Sequence, residues 1–91
     1  MIRPMYAVRD LKSCWLTPSI DDNDQVARRG FVYAVSHNDI MGFVPEHFSL
    51  YKIGAYDLDT GHLLPLEVPE LIIEGSEAVS IARHMSQPEV F

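Results

Sequence analysis

A chain of 91 residues, of which 47% are apolar and 10% aromatic, has room for one globular domain with one core. The net charge is −6. No apolar run approaches the roughly 20 residues of a membrane-spanning helix, so we expect no contact with a bilayer. The N-terminus lacks the pattern of a signal peptide, and the single cysteine excludes an intramolecular disulfide. These features predict a cytoplasmic protein.

The acidic residues are concentrated in the second part of the chain. Residues 1–52 hold six basic and six acidic side chains, whereas residues 53–91 hold seven acidic side chains and one basic side chain, Arg83. The simplest interpretation of this charge distribution is an ordinary solvated surface. The same distribution also allows a local basic surface on an acidic protein.

The first part of the chain predicts two short strands. Residues Met5–Arg9 alternate in the manner of a strand, and Cys14–Thr17 is predicted to form a second strand that ends at Pro18. Residues 11–13 would form the turn between them, and residues 18–22 a loop. We expect Cys14, which lies beside Trp15, to be packed in the core or in a strand.

An amphipathic helix is predicted over Asn23–Ser36. Asp22, with Gln25 three residues later, fits the pattern of a helix cap with its reciprocal amide. Helical spacing places Val32 on the polar face together with Arg29. The predicted buried face consists of Ala27, Gly30, Phe31, Ala34 and Val35. Since glycine is unfavourable within a helix, its presence at Gly30 predicts a close approach to a sheet.

A hairpin is predicted after the helix, beyond a stop at residues 37–39 and a loop that contains Gly42 and Pro45. Ser49–Leu58 and His62–Leu66 would form its strands, and Asp59-Thr60-Gly61 its turn, with Gly61 in the left-handed conformation. We predict that Tyr56 pairs with Leu64. Both faces of this hairpin are apolar, so the face not covered by the helix requires the C-terminal segment or a second subunit.

The last part of the chain predicts one more strand and a second helix. Glu70–Glu74 is a short apolar strand bounded by charge, and Ser76 would cap a helix in which Ala78, Ile81, Ala82 and Met85 follow helical spacing. The expected fold is therefore a single α+β domain over residues 1–91. A small antiparallel sheet of four to five strands packs on one main amphipathic helix within a core of residues 5–75. Residues 76–91 form the short C-terminal helix and a tail.

No residue pattern indicates a catalytic centre. The four histidines are scattered without the spacing of a metal site, and there is no Gly-x-Ser-x-Gly elbow or glycine-rich phosphate loop. We therefore expect neither enzymatic activity nor a metal, a cofactor or a small-molecule substrate.

Basic and aromatic residues are interleaved in the first part of the chain. The predicted phosphate contacts are Arg3, Arg9, Lys12, Arg28 and Arg29. Tyr6, Trp15, Tyr33 and Tyr51 lie among them, and the predicted stacking surfaces are Tyr6, Trp15 and Tyr33. A basic groove with aromatic platforms is the requirement for binding single-stranded nucleic acid. Core aromatics with unrelated surface cations are the alternative interpretation.

The order of several short motifs resembles one viral family. These motifs are Tyr6-Ala7-Val8-Arg9-Asp10, Asn23-Asp24, Val26-Ala27-Arg28 with Phe31, Phe48-Ser49-Leu50-Tyr51, Ile53-Gly54, Tyr56-Asp57 and Thr60-Gly61. Over residues 5–75 the chain resembles the small nonstructural, DNA-binding-type protein of gokushoviruses, which are single-stranded DNA phages of the microvirus group. The chain departs from that pattern by continuing past Gly75. The resemblance implies no catalytic residues.

The resemblance implies a phage accessory protein that assists the synthesis or packaging of single-stranded DNA. We expect a homodimer in the host bacterial cytoplasm, not a stable virion component, with single-stranded DNA or phage replication proteins as partners. Arg28 would contact phosphate or brace the helix against Asp24. The main alternative is an interaction module that binds a replication or host protein through its acidic C-terminal half and exposed sheet face. An acidic assembly scaffold is a third hypothesis.

Overall fold

A four-stranded antiparallel sheet forms the centre of the computed structural model, which describes residues 1–86. The elements in chain order are β1 (Ile2–Asp10), β2 (Ser19–Ile20), α1 (Asp24–His37), α2 (Asp39–Phe43), a 3₁₀ turn (Pro45–His47), β3 (Phe48–Asp57), β4 (Leu63–Glu74) and α3 (Gly75–Ser86). The strand order is β2-β1-β3-β4. The predicted α+β class, with an antiparallel sheet and a C-terminal helix, is confirmed. The predicted tail, residues 87–91, lies outside the described residues.

The predicted second strand at Cys14–Thr17 is wrong. This segment makes only an isolated bridge between Arg9 and Trp15, and regular pairing resumes at Ser19–Ile20, beside Met5 and Tyr6. Pro18 separates the two stretches, and it has no N–H group to donate to a ladder. Cys14 is exposed, so the prediction that it is packed is also wrong.

Helix α1 forms where it was predicted, but its cap is Asn23 and not Asp22. The Asn23 side chain accepts a hydrogen bond of 2.9 Å from the backbone N–H of Val26, which satisfies one of the free donors at the helix start. The helix then runs for 14 residues to His37. Asn38 ends α1 and also caps α2 by accepting from Met41 N at 3.0 Å, so a short helix replaces the predicted loop.

The buried face of α1 is broader than predicted. Ala27, Phe31 and Val35 are buried as expected, but Val32, which was assigned to the polar face, is only 8% exposed. Val32 is buried because α3 packs against α1 beside the sheet, so two sides of α1 are covered. Gly30 is exposed, and apart from the adjoining backbone of α1 no atom lies within 4 Å of the position that its Cβ would occupy, so the predicted close approach is wrong.

The hairpin turns where it was predicted. Gly61 has a φ of 78°, and Asp57 N donates to His62 O at 3.0 Å across the turn. The register differs by one residue, since Leu64 pairs with Ala55 instead of Tyr56. The two predicted return segments are a single strand of 12 residues, β4, whose pairing with β3 is irregular between Lys52 and Gly54.

Helix α3 begins directly after β4, without the predicted cap at Ser76. Its first residue, Gly75, lies so close to the backbone that an added Cβ would meet the carbonyl oxygens of Pro45 and Phe48. Of the apolar residues at helical spacing, Ala78 is fully buried, whereas Met85 is 74% exposed.

Helices α1 and α3 cover one face of the sheet. Tyr6, Leu50 and Ile73 belong to a core that also contains Phe31 of α1 and Ala78 of α3. Because side chains alternate along a strand, Tyr51 points to the opposite face of the sheet. Within residues 1–86, no helix is long and apolar enough to cross a membrane.

Candidate nucleic-acid interface

The eight residues predicted to bind nucleic acid do not form one surface. Arg9, Lys12 and Trp15 lie together at one end of the sheet, whereas Arg28, Arg29 and Tyr33 lie on α1. Arg3 and Tyr6 are engaged in other contacts. The single basic groove predicted from the sequence is therefore absent from the described structure.

Arg9, Trp15 and Tyr51 form a cation–aromatic cluster. The guanidinium carbon of Arg9 lies 5.7 Å from the centroid of the Trp15 ring, and the Trp15 and Tyr51 rings meet edge to face with centroids 5.2 Å apart. Trp15 is 41% exposed, and Arg9 and Tyr51 are half-buried. The cluster thus holds an indole in a defined orientation while leaving part of it open to a ligand.

Local structure positions this cluster. Arg9 pairs with Ser49 on β3, and Ala7, two residues earlier on β1, pairs with Tyr51, so Arg9 and Tyr51 share one face of the sheet. The turn after β1 then brings Trp15 back beside Arg9 through the isolated bridge.

Asp10 organises the turn that carries Lys12. Its carboxylate accepts hydrogen bonds from Lys12 N at 3.0 Å and from Ser13 Oγ at 2.9 Å. The bond from the Lys12 N–H, followed by that from Ser13, lowers the pKa of Asp10. Lys12 is exposed, and its ammonium group makes no ion pair with any residue in the range 1–86. It is therefore available to a phosphate.

Tyr6 cannot serve as a stacking surface, because its side chain is 0% exposed. Its hydroxyl donates to Asp24 Oδ1 at 2.5 Å, and Asp24 also pairs with Lys52 Nζ at 3.0 Å. Burial of the phenol, followed by its bond to Asp24, raises the pKa of Tyr6. This contact joins β1 and β3 to the first turn of α1, so Tyr6 is a structural residue.

Arg3 and Arg28 are both held by carboxylates. Arg3 pairs with Asp22 at 3.1 Å, and Arg28 pairs with Glu77 of α3 at 3.1 Å. Arg28 therefore braces α1 against α3, and not against Asp24 as the sequence suggested.

Arg29 and Tyr33 line a second surface, the groove between α1 and α3. This groove has a volume of about 980 Å³. Tyr33 is 64% exposed, and its ring stacks on His37 with centroids 3.9 Å apart. The groove is on the helical side of the molecule, away from Trp15.

Tyr51 is the residue of the cluster that the sequence-based site did not include. The register between β1 and β3 would have identified Tyr51. Because Tyr51 pairs with Ala7, its side chain lies on the same side of the sheet as that of Arg9. Without the register, Tyr51 was one aromatic residue among several.

In residues 1–86, no group of three or more His, Cys, Asp or Glu side chains is arranged to hold a metal ion.

A family model described as "Phage ORF5 protein" matches residues 3–78, which is most of the chain. The chain belongs to the phage ORF5 protein family. The ORF5 match extends from β1 into the first turn of α3, so Arg9, Trp15 and Tyr51 all lie within the family region. No curated protein and no solved structure matches this ORF5 chain.

Proposed function

We propose that this phage ORF5 protein is a non-enzymatic accessory protein of a gokushovirus-like phage. It binds single-stranded DNA in the host cytoplasm, through Arg9, Lys12, Trp15 and Tyr51, during genome synthesis or packaging. The observation that supports the proposal is the exposed Trp15 ring held between Tyr51 and Arg9 on the face of the sheet that α1 and α3 leave open.

An indole presented in this way suits an unpaired base. Stacking of a base on an aromatic side chain contributes roughly 1 to 3 kcal/mol and does not depend on base identity. The Arg9 guanidinium, which faces the same ring, can contact the phosphate beside a stacked base. Lys12 offers a second positive charge on the adjacent turn.

The charge of the protein sets the expected strength of binding. A net charge of −6 provides no long-range attraction to phosphates, so affinity must come from these local contacts. Two phosphate contacts predict a modest salt dependence, with a slope of log K against log salt of about −1.4.

Trp15 provides a direct assay because it is the only tryptophan. Titration with a single-stranded oligonucleotide is expected to quench its fluorescence in a saturable manner, with weaker binding as salt rises from about 50 to 200 mM. A duplex of the same sequence is the comparison, since its bases are unavailable for stacking and it should quench less.

Two variants test whether Trp15 contacts the DNA. Their affinity for a labelled single-stranded oligonucleotide is measured by fluorescence anisotropy. Trp15→Ala is expected to weaken binding roughly 5- to 150-fold, which corresponds to one lost stacking contact. Arg28→Ala removes a positive charge from the helical side, where the proposal places no contact with DNA, and should leave affinity within about twofold of the original. Equal losses in both variants, or no saturable quenching at the lowest salt, would rule out the site.

The rival proposal is a module that binds a replication or host protein through its acidic C-terminal half. It is supported by the exposed apolar side chains of the hairpin, of which Val68 is 75% and Leu63 64% exposed. Capture of a basic phage or host protein that is lost in Val68→Lys but retained in Trp15→Ala would favour this rival.

A further inference from the structure

The groove between α1 and α3 combines an apolar floor with a cationic rim. Val32, Val79 and Ala82 contribute to the floor. Arg29 lies on the rim, beside Arg28, which is paired with Glu77. In the described part of the chain, no aspartate or glutamate lines this groove. Such a surface on a protein of net charge −6 suits an occupant that is both apolar and acidic.

A surface with these properties is present on the chain itself. We call residues 57–70, which include the hairpin turn and the first part of β4, the hairpin arm. The exposed apolar residues of the arm are Leu58, Leu63, Leu64, Leu66 and Val68. It also carries Asp57, Asp59, Glu67 and Glu70, with no lysine or arginine. None of these residues lines the groove of its own chain.

We propose that the groove between α1 and α3 of one copy receives the hairpin arm of a second copy of this chain. The contact joins two different surfaces, so it is heterologous. In a pair of molecules, one groove and one arm stay unoccupied and can bind further copies. Apolar side chains of the arm pack against the groove floor, while Glu67 and Glu70 face Arg29 on the rim.

The structure favours this mode over edge-to-edge pairing of two sheets. β4 is an edge strand, but Pro65 and Pro69 lie within it and have no N–H group to donate to a new strand. The pairing of β4 with β3 is also irregular in this region. Side chains, and not the strand edge, are therefore the part of the arm that is suited to recognition.

The test is sedimentation of the full chain without DNA, so that its result is independent of the nucleic-acid proposal. The original chain is expected to self-associate as concentration rises. Arg29→Glu in the groove and Val68→Lys in the arm should each weaken self-association at least tenfold. Lys12→Glu changes the charge by −2, as Arg29→Glu does, and Thr17→Lys changes it by +1, as Val68→Lys does. Both control positions are exposed and lie outside the two surfaces, so each control should associate like the original.

Mixing the two impaired variants is the decisive step. The Arg29→Glu variant keeps its arm and the Val68→Lys variant keeps its groove, so the mixture is expected to form a one-to-one complex although neither variant associates alone. If self-association were instead a contact between two arms or between two grooves, mixing would not restore it, because only one of the two variants would have that surface intact. A mixture that stays monomeric, or an original chain that is monomeric at every concentration, would overturn the proposal.

A second pair of substitutions protects the test from a folding defect. Tyr33→Glu in the groove and Leu63→Lys in the arm replace side chains that are each 64% exposed. Circular dichroism should show an unchanged fold for all four variants. The second pair is expected to give the same recovery on mixing, and failure of both folded pairs to recover would refute the contact.

Discussion

Gly75 is predicted to be a position where even a methyl group is not tolerated. An ideal Cβ at this residue would meet the carbonyl oxygen of Pro45 and would lie 2.8 Å from that of Phe48. Both obstacles are backbone atoms and cannot rotate away. Gly75→Ala must therefore shift either the start of α3 or the segment between α2 and β3.

The size of the effect follows from two opposing terms. Overpacking of this kind costs typically about 1 to 3 kcal/mol, and occasionally more. Alanine is favoured over glycine within a helix by about 1 kcal/mol, but the gain is smaller at the first residue. We expect a net loss of about 2 kcal/mol in the free energy of unfolding. For a domain of this size, that loss lowers the thermal midpoint by about 8 to 16 °C.

Gly30→Ala is the matched control, because Gly30 is also helical but its Cβ would meet no atom within 4 Å apart from the adjoining backbone of α1. It should raise the free energy of unfolding by about 0.5 to 1 kcal/mol through helix propensity and a restricted unfolded state. Thermal and urea unfolding followed by far-ultraviolet circular dichroism measure both changes. If Gly75→Ala is as stable as the original chain, the packing inferred for the start of α3 is wrong.

Three further predictions concern the sheet and its contacts. Gly54→Ala should lower the free energy of unfolding by about 1 to 3 kcal/mol in urea titrations, since its Cβ would lie 2.6 Å from Leu64 O. Hydrogen bonds from Tyr6 and then Lys52 lower the pKa of Asp24, so the resulting stability is present above the unfolded pKa of about 4 and is lost as pH falls through the lower folded value. Unfolding of the original chain should therefore show a steeper loss of stability than Asp24→Asn on acidification below about pH 4, and parallel curves would contradict this. Lys12→Ala should reduce the magnitude of the salt slope of oligonucleotide binding by about 0.7, and an unchanged slope would remove Lys12 from the interface.

Local sequence signals were sufficient for β1, for α1 and for the hairpin turn. Helical spacing and the left-handed preference of glycine act within a few residues, so they can be identified without knowledge of distant contacts. Capping patterns indicated where α1 starts, but they assigned its cap one residue too early. The family resemblance likewise depended on the order of short motifs, and the match to phage ORF5 proteins confirms its phage origin.

Only the tertiary structure decided which faces are covered and which residues meet. Val32 is buried because α3 lies beside α1, and the backbone approaches closely at Gly54 and Gly75 but not at Gly30. The sequence also could not distinguish the roles of two tyrosines: Tyr6 is buried in the core, whereas Tyr51 packs against Trp15 on the open face of the sheet. Residues far apart in the chain make these contacts, and a one-residue change of register moves a side chain to the other face of a sheet. For this reason the sequence by itself determined the elements and their chemical composition, while packing selected the surfaces available for binding.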